Sequence, residues 1–231
     1  MGELKKLGIK PPSRNTVKNI LKQNGLDPGP KRGQGSWDEF LQIHSETLWQ
    51  CDFFSKLIWT PTGLRQYFSL VFLHVGSRKV FVTTASKKPD TAWMRKQAKA
   101  FLQFVEGEGL KAEILMRDRD NMYVRDFDNA IKDVGIRIHP VAYRSPNQNA
   151  FVEQWIQSIK HECLNHFIVF GEDHFNYLIS QYVEHYLAER PHQGLGNRLI
   201  DGELESASDE GEILCRQRLG GVLKHYYRAA A

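Results

Sequence analysis

The chain has 231 residues, 41% of them hydrophobic and 25% charged, which suits one soluble globular domain with flanking segments and excludes a disordered polyelectrolyte. Its three cysteines, Cys51, Cys163 and Cys215, form no C-x-x-C pair and exclude a disulfide framework. No apolar run is long enough for a membrane span and the start carries no signal-peptide stretch, so a location inside the cell is expected.

The net charge of +4 is unevenly spread. Lys5, Lys6, Lys10, Arg14, Lys18, Lys22, Lys31 and Arg32 face only Glu3 and Asp27 in residues 1–35, a local excess of +6. The rest of the chain therefore carries −2. A basic arm on a near-neutral body suits a polyanion such as DNA, and a solvated charged terminus has the same composition.

Ser13 to Asn24 reads as a helix: Ser13 caps it, Val17, Ile20 and Leu21 share a face, and Gly25 ends it. Asp27 to Ser36 is a linker by its glycine and proline content. The stretch before Ser13 is too short for a helical domain with its own core, so the chain is expected to start inside a longer DNA-binding module. Leu48–Thr60, Tyr67–Val75 and Lys79–Ala85 read as three strands of an antiparallel meander, with a turn at Thr62-Gly63. A helix is predicted from Pro89 to about Glu106, with Trp93, Ala100, Phe101 and Phe104 in the core. Glu113–Met116 and Ile136–His139 read as short strands around a helix over Val124–Val134. A long helix is predicted from Pro146 to His166 and another from Asp173 to Ala188. Six acids between Asp201 and Glu212 point to a loosely ordered tail, and Leu219–Tyr227 reads as a docking segment or a disordered end. The order implies a mixed α/β sheet covered by helices.

Three acids stand in unexpected places. Asp52 lies in the apolar strand Leu48-Trp-Gln-Cys-Asp-Phe-Phe54, where a carboxylate is costly unless paired or bound to a cation. Asp118 follows the strand ending at Met116, and strand C-terminal ends recur as ligand sites. Glu153 lies early in the Pro146 helix, on a polar stripe with Asn149, Gln157 and Lys160 beside the apolar stripe Val152, Trp155, Ile156, Ile159 and Cys163. An exposed strand face, a turn aspartate and a solvated helix face account for each acid taken alone. His161, Cys163 and His166 read as packing and helix surface, because a zinc site needs a further ligand pair.

Together, Trp49-x-x-Asp52, an acid after a later strand, and Pro146-Asn-Gln-Asn-Ala-Phe-Val-Glu153 resemble the integrase catalytic core of retroviral integrases and bacterial insertion-sequence transposases. Sixty-five residues separate Asp52 from Asp118 and thirty-four separate Asp118 from Glu153; that second spacing is typical of the family. Lys160 is similar to the basic residue that follows its glutamate, and Tyr186-Leu-Ala-Glu-Arg-Pro-His-Gln-Gly-Leu195 to the segment closing its transposases. Ser13–Leu26 resembles the last helix of the preceding helix-turn-helix.

The resemblance implies a ribonuclease H-like fold: three antiparallel strands plus two more in one mixed α/β sheet. It divides the chain into a partial recognition module and basic linker (1–35), a catalytic core (36–200) and a tail (201–231). It further implies an oligomeric, nucleoid-associated enzyme that cleaves and joins DNA by in-line attack of water and then a 3′-hydroxyl. Asp52, Asp118 and Glu153 are then the catalytic residues and ligands for two Mg2+ or Mn2+ ions, with Asp52 shared between them. Lys160, Asn149, Gln148 and Arg144 become candidate DNA contacts. Asp118 is followed by Arg119 and Asp120 where family members often carry a glycine, which makes Asp120 a rival ligand. An inactive DNA-binding remnant and a nuclease for RNA–DNA hybrids are the alternatives.

Overall fold

The computed structural model describes residues 12–25, 37–142, 146–202 and 212–228. The chain divides into two units, residues 1–42 and 43–231. In the first, helix α1 (Arg14–Gln23) begins as expected, with the Ser13 hydroxyl accepting from the Thr16 N–H. Helix α2 (Trp37–His44), which the sequence reading passed over, starts in this unit; Trp37 and Phe40 stack on its surface with ring centroids 5.3 Å apart.

The second unit is built on one five-stranded sheet. Its strands are β1 (Leu48–Thr60), β2 (Gly63–His74), β3 (Val80–Val82), β4 (Ile114–Arg117) and β5 (Arg137–Pro140), in the order β3-β2-β1-β4-β5. The meander β1–β2–β3 is antiparallel, and β4 and β5 join β1 in parallel. Helices α3 (Thr91–Gly107), α4 (Arg125–Lys132), α5 (Ala150–Glu162) and α6 (Gly171–Ala188) cover the two faces.

Alternation along β1 assigns those faces. Trp49, Cys51 and Phe53 point to α3 and α4: Trp49 meets Phe101 edge-on, and Phe53 lies against Trp93 and Tyr123. Gln50 and Phe54 point the other way, where Phe54 packs on Trp155 and Phe175. Asp52 belongs to this second side by the same alternation. Each face thus has an apolar layer, which is what a sheet carrying parallel strands requires.

Several boundaries differ from those expected. Helix α3 starts after Asp90, whose carboxylate caps the Trp93 N–H, rather than at Pro89. Of its expected core positions only Phe101 is fully buried; the buried stripe is Met94, Gln97, Ala98, Phe101 and Val105, with Trp93, Ala100 and Phe104 at its margins. The long helix expected over Pro146–His166 is three pieces: a 3-10 turn (Pro146–Asn149), α5, and a second 3-10 turn (Leu164–His166).

The region read as a docking segment or a loose end forms a hairpin, β6 (Ile213–Arg218) with β7 (Leu223–Arg228), paired from Ile213–Arg228 to Arg218–Leu223. Its docking is ionic. The Arg218 guanidinium reaches Glu189 at 2.9 Å and also contacts Glu184 and Gln181, while His185 meets the other side of Glu189 at 3.0 Å. No helix among the described residues is long and apolar enough to cross a membrane.

Candidate active site

The pairing of β1 with β4 positions the first two acids. These parallel strands are in register from Leu48–Ile114 to Cys51–Arg117. Asp52 and Asp118 are the next residues on each strand, so they emerge side by side at the C-terminal end of the parallel pair. Asp52 is half-buried, and its Oδ1 accepts from the Phe53 N–H at 2.7 Å. Burial pushes its carboxyl up to about 7, reinforced by the charges of Asp118, Glu153 and Asp120. Asp118 is also half-buried, and burial raises its carboxyl although the Asp120 N–H bond pulls the other way. Glu153 lies in the first turn of α5 and is exposed, and its charge is felt at Asp52.

Asp120 is placed differently from its neighbour. It is exposed and two residues further from the strand; its N–H donates to Asp118 Oδ1 at 3.2 Å, and its own Oδ1 accepts from the Met122 N–H at 2.9 Å. Arg117 is occupied. It pairs with Asp128 at 2.7 Å, donates to the Asp118 carbonyl at 2.8 Å and lies 4.7 Å from the Tyr123 ring centroid. This cluster ties α4 to the end of β4 and fixes the backbone at Asp118.

A residue not singled out in the sequence sets the position of α5. Gln50, fully buried on β1, donates from Nε2 to the Gln148 carbonyl at 2.8 Å. Its Oε1 accepts from the N–H groups of Phe151 and Val152, both at 3.1 Å. These are helix N-terminal amides without intrahelical acceptors, so a strand side chain does the work of a helix cap. The bonds also explain the break before Ala150, and Glu153 follows one residue after the amides that Gln50 holds. The only sequence signal for Gln50 was a polar residue in an otherwise apolar strand, on the Asp52 side of the pleat.

Gln50→Leu should destabilise the fold by about 1–3 kcal/mol, since two amides and a carbonyl lose their partner. Urea unfolding measures it, and an unchanged midpoint would mean that water replaces the amide at no cost.

The candidate DNA contacts separate. Asn149 is buried, and its Nδ2 donates to the Cys51 carbonyl at 3.4 Å, which binds it to β1 rather than presenting it outward. Gln148 is partly exposed, and its Oε1 accepts from the Ala142 N–H at 2.8 Å. Lys160 lies in the last turn of α5, partly exposed, on the same helix as Glu153. Arg144 lies outside the described residues. Cys163 is buried with its Sγ on the Leu178 carbonyl, and a His166 ring nitrogen bonds the His161 carbonyl at 3.0 Å.

Among the described residues, no three of His, Cys, Asp and Glu are grouped so as to hold a metal ion. Two adjacent half-buried carboxylates, with a third acid within electrostatic reach, nevertheless make a donor set of oxygens whose repulsion a hard divalent cation offsets. Mg2+ suits such a set because it keeps several waters and needs few protein ligands.

The fold itself has counterparts among solved structures. The chain resembles the HTLV-2 integrase catalytic core domain in complex with magnesium, with a TM-score of 0.50 and 17% identity over 67% of this chain and 93% of that one. The chain has the fold of that catalytic core. Residues 134–199, spanning β5, α5, α6 and the segment after it, match the family model described as integrase core domain. The integrase-like core also aligns with a chain of the simian T-cell lymphotropic virus intasome in complex with a PP2A regulatory subunit (TM-score 0.49, 16% identity, 80% of this chain and 67% of that). A further match is the catalytic core domain of BIV integrase (TM-score 0.44, 14% identity, 67% and 91%). No curated protein matches the chain. The expected ribonuclease H-like mixed sheet is the fold observed, and the integrase-like part of the resemblance holds with it.

Proposed function

We propose that this protein is a DNA transposase of the bacterial insertion-sequence type, which cleaves element ends and joins them to target DNA with Asp52, Asp118 and Glu153 as its catalytic carboxylates. The observation that carries this reading is the emergence of Asp52 and Asp118 side by side at the ends of adjacent parallel strands, with Glu153 within electrostatic reach. Charge repulsion of this kind inside a fold is costly unless a function uses it. Two Mg2+ or Mn2+ ions, held by the three carboxylates, would supply the charge that lowers the pKa of the attacking hydroxyl and offsets that of the leaving oxygen.

The protein's own groups do the rest. Gln50 holds the start of α5 so that Glu153 stays near the strand ends. Lys160, seven residues further along the helix, is placed about 10 Å from Glu153 along the axis, where it takes a backbone phosphate beside the scissile one. The bound strand is attacked in line, first by water and then by the freed 3′-hydroxyl. The protein works as an oligomer on DNA, which brings two ends together.

The test is cleavage and joining of labelled duplexes carrying the sequences that flank the gene, with Mg2+ or Mn2+. Expected are 3′-end nicking and a joined product, both absent in EDTA. Preferential cutting of an RNA–DNA hybrid would favour the nuclease reading, and binding without cleavage the inactive remnant.

Asp118→Asn should abolish this cleavage, whereas Asp120→Asn should retain most of it, because the sheet fixes Asp118 and leaves Asp120 in the turn beyond. The reverse ranking would make Asp120 the second ligand. Glu153→Gln should stop cleavage and leave binding intact. Lys160→Ala should weaken binding and lower the salt slope by about one, for one lost phosphate contact. An unchanged slope would make Lys160 an ordinary solvated lysine.

A further inference from the structure

A cleft of about 360 Å3 opens between the β2–β3 turn, α5 and the segment after α6, lined by none of the three acids. Its walls include Arg78, Phe151, Trp155, Arg190, His192 and Gln193. Three observations converge on Arg78. Its guanidinium is half-buried, yet it meets no carboxylate and makes no hydrogen bond among the described residues, and its Nη1 is buried without an acceptor. Its nearest cover is the face of Phe151, 3.8 Å from the guanidinium carbon, which attracts a cation without taking up its N–H groups. Its backbone has φ of 64°, a left-handed conformation that a side chain with a Cβ disfavours.

The turn that imposes this conformation is well fixed. The Arg78 N–H donates to the His74 carbonyl and the His74 N–H to the Lys79 carbonyl, both at 2.9 Å, while the His74 ring bonds Ser77 Oγ and the Glu46 carbonyl. A glycine would suit the backbone better, and an uncharged residue would suit the burial better. The other cation of the cleft is already spent, because Arg190 pairs with both oxygens of Glu162 at 2.7 and 3.0 Å. His192 accepts no anion either: its Nε2 bonds the Tyr186 carbonyl at 2.7 Å, and burial holds the ring below its ordinary range. A second donor in the wall, Trp155 Nε1, is buried without an acceptor among the described residues.

We propose that this cleft is a phosphate-binding site, with the Arg78 guanidinium as its principal ligand. The planar fork of an arginine matches two phosphate oxygens, and an incoming oxyanion supplies the charge and the acceptors that Arg78 lacks. The phosphate belongs to a nucleic-acid strand or to a free ion. The strand is favoured, since Phe151 and Gln154 in the wall flank Glu153 on α5. That choice of source rests on the DNA-processing reading; the site itself does not.

The experiment compares wild type with Arg78→Gln, Arg78→Lys and, as a control remote from the cleft, Lys99→Gln. Thermal unfolding is followed in sodium phosphate and in sodium chloride of equal ionic strength, and duplex DNA binding is followed against salt. Wild type and Lys99→Gln should melt higher in phosphate than in chloride, and Arg78→Gln should lose that difference. Arg78→Lys should keep only part of it. In chloride Arg78→Gln should be as stable as wild type or more so, because a lone buried charge has been removed. Lower stability there would make Arg78 a packing residue and overturn the proposal, as would equal phosphate stabilisation in wild type and Arg78→Gln. DNA binding by Arg78→Gln should fall about three- to tenfold, with a salt slope smaller by about one. Loss of the phosphate effect with unchanged DNA binding would support the site with the free ion as its ligand. Cleavage of element ends by wild type, run in parallel, separates failure of this site from failure of the transposase reading.

Discussion

Asp52→Asn should abolish metal-dependent cleavage, by at least about 1,000-fold, and at the same time stabilise the metal-free protein. Both effects follow from one placement. Burial and the charges of Asp118, Glu153 and Asp120 push the Asp52 carboxyl up to about 7, from an ordinary value of 3.8. Between those two values the folded chain holds a proton that the unfolded chain has released. Unfolding free energy therefore falls as pH rises from about 4 to about 7, and the full cost is present at pH 8. The neutral amide removes that cost, with a gain on the order of 2 kcal/mol after allowance for solvent at this half-buried site. Urea unfolding in EDTA at pH 5 and pH 8 measures it: the two proteins should converge at low pH and separate at high pH. Mg2+ should then stabilise wild type more than the variant. A variant less stable than wild type at pH 8 would mean that Asp52 is held by attractive contacts, and the active-site reading would fail with it.

The second large effect lies at the other end of the molecule. Glu189→Ala should cost about 3–5 kcal/mol, because it removes the buried carboxylate that Arg218 and His185 share and leaves Arg218 only its contacts to Glu184 and Gln181. Only 1% of the Glu189 side chain is exposed. Burial alone would raise its carboxyl, but hydrogen bonds from Arg218 and His185 hold it down to about 2. Its contribution is thus complete above pH 4.5 or so and is lost as the pH falls toward 2. Urea unfolding of Glu189→Ala, Arg218→Ala and the double variant checks the argument. The double variant should lose much less than the two single losses together, because each single change already breaks the shared pair. Simple additivity would show that the hairpin docks through other contacts.

Much of the fold was legible because the sheet is written in local patterns. The meander announces itself by β-branched and aromatic runs around Thr62-Gly63, and the α1 cap by Ser13. The candidate site could be read only from three acids taken as a set, through their spacing, since each has an ordinary explanation alone. Three features were hard to read for a physical reason, and a fourth was overlooked. The interruption of the helix at Asn149 is imposed by Gln50, a residue about a hundred positions earlier, and no local pattern around Asn149 records it. Asn149 itself looked like a member of an outward polar stripe, but it ends the 3-10 turn rather than lying in α5, and its amide donates to the Cys51 carbonyl. The β6–β7 hairpin was masked by the acidic stretch before it and by the lack of apolar–polar alternation in both strands; its usable signal was the Gly220-Gly221 turn. Helix α2 did carry a signal, Trp37, Phe40 and Leu41 at i, i+3, i+4, but it is short and follows directly on a glycine-rich linker.

The Gln50 anchor also gives the site an order of assembly. Its bond to the Phe151 N–H joins residues 101 positions apart, and the intervening chain holds the rest of the sheet, α3 and α4. Closing so long a loop costs entropy that only the completed sheet repays. On a growing chain the first two acids can meet once β4 pairs with β1, whereas the third arrives only after the last strand of the sheet is in place. With the three acids as the proposed catalytic set, a nascent fragment lacking α5 should be inactive, and mild denaturant should silence cleavage before the sheet melts, with the start of α5 letting go first.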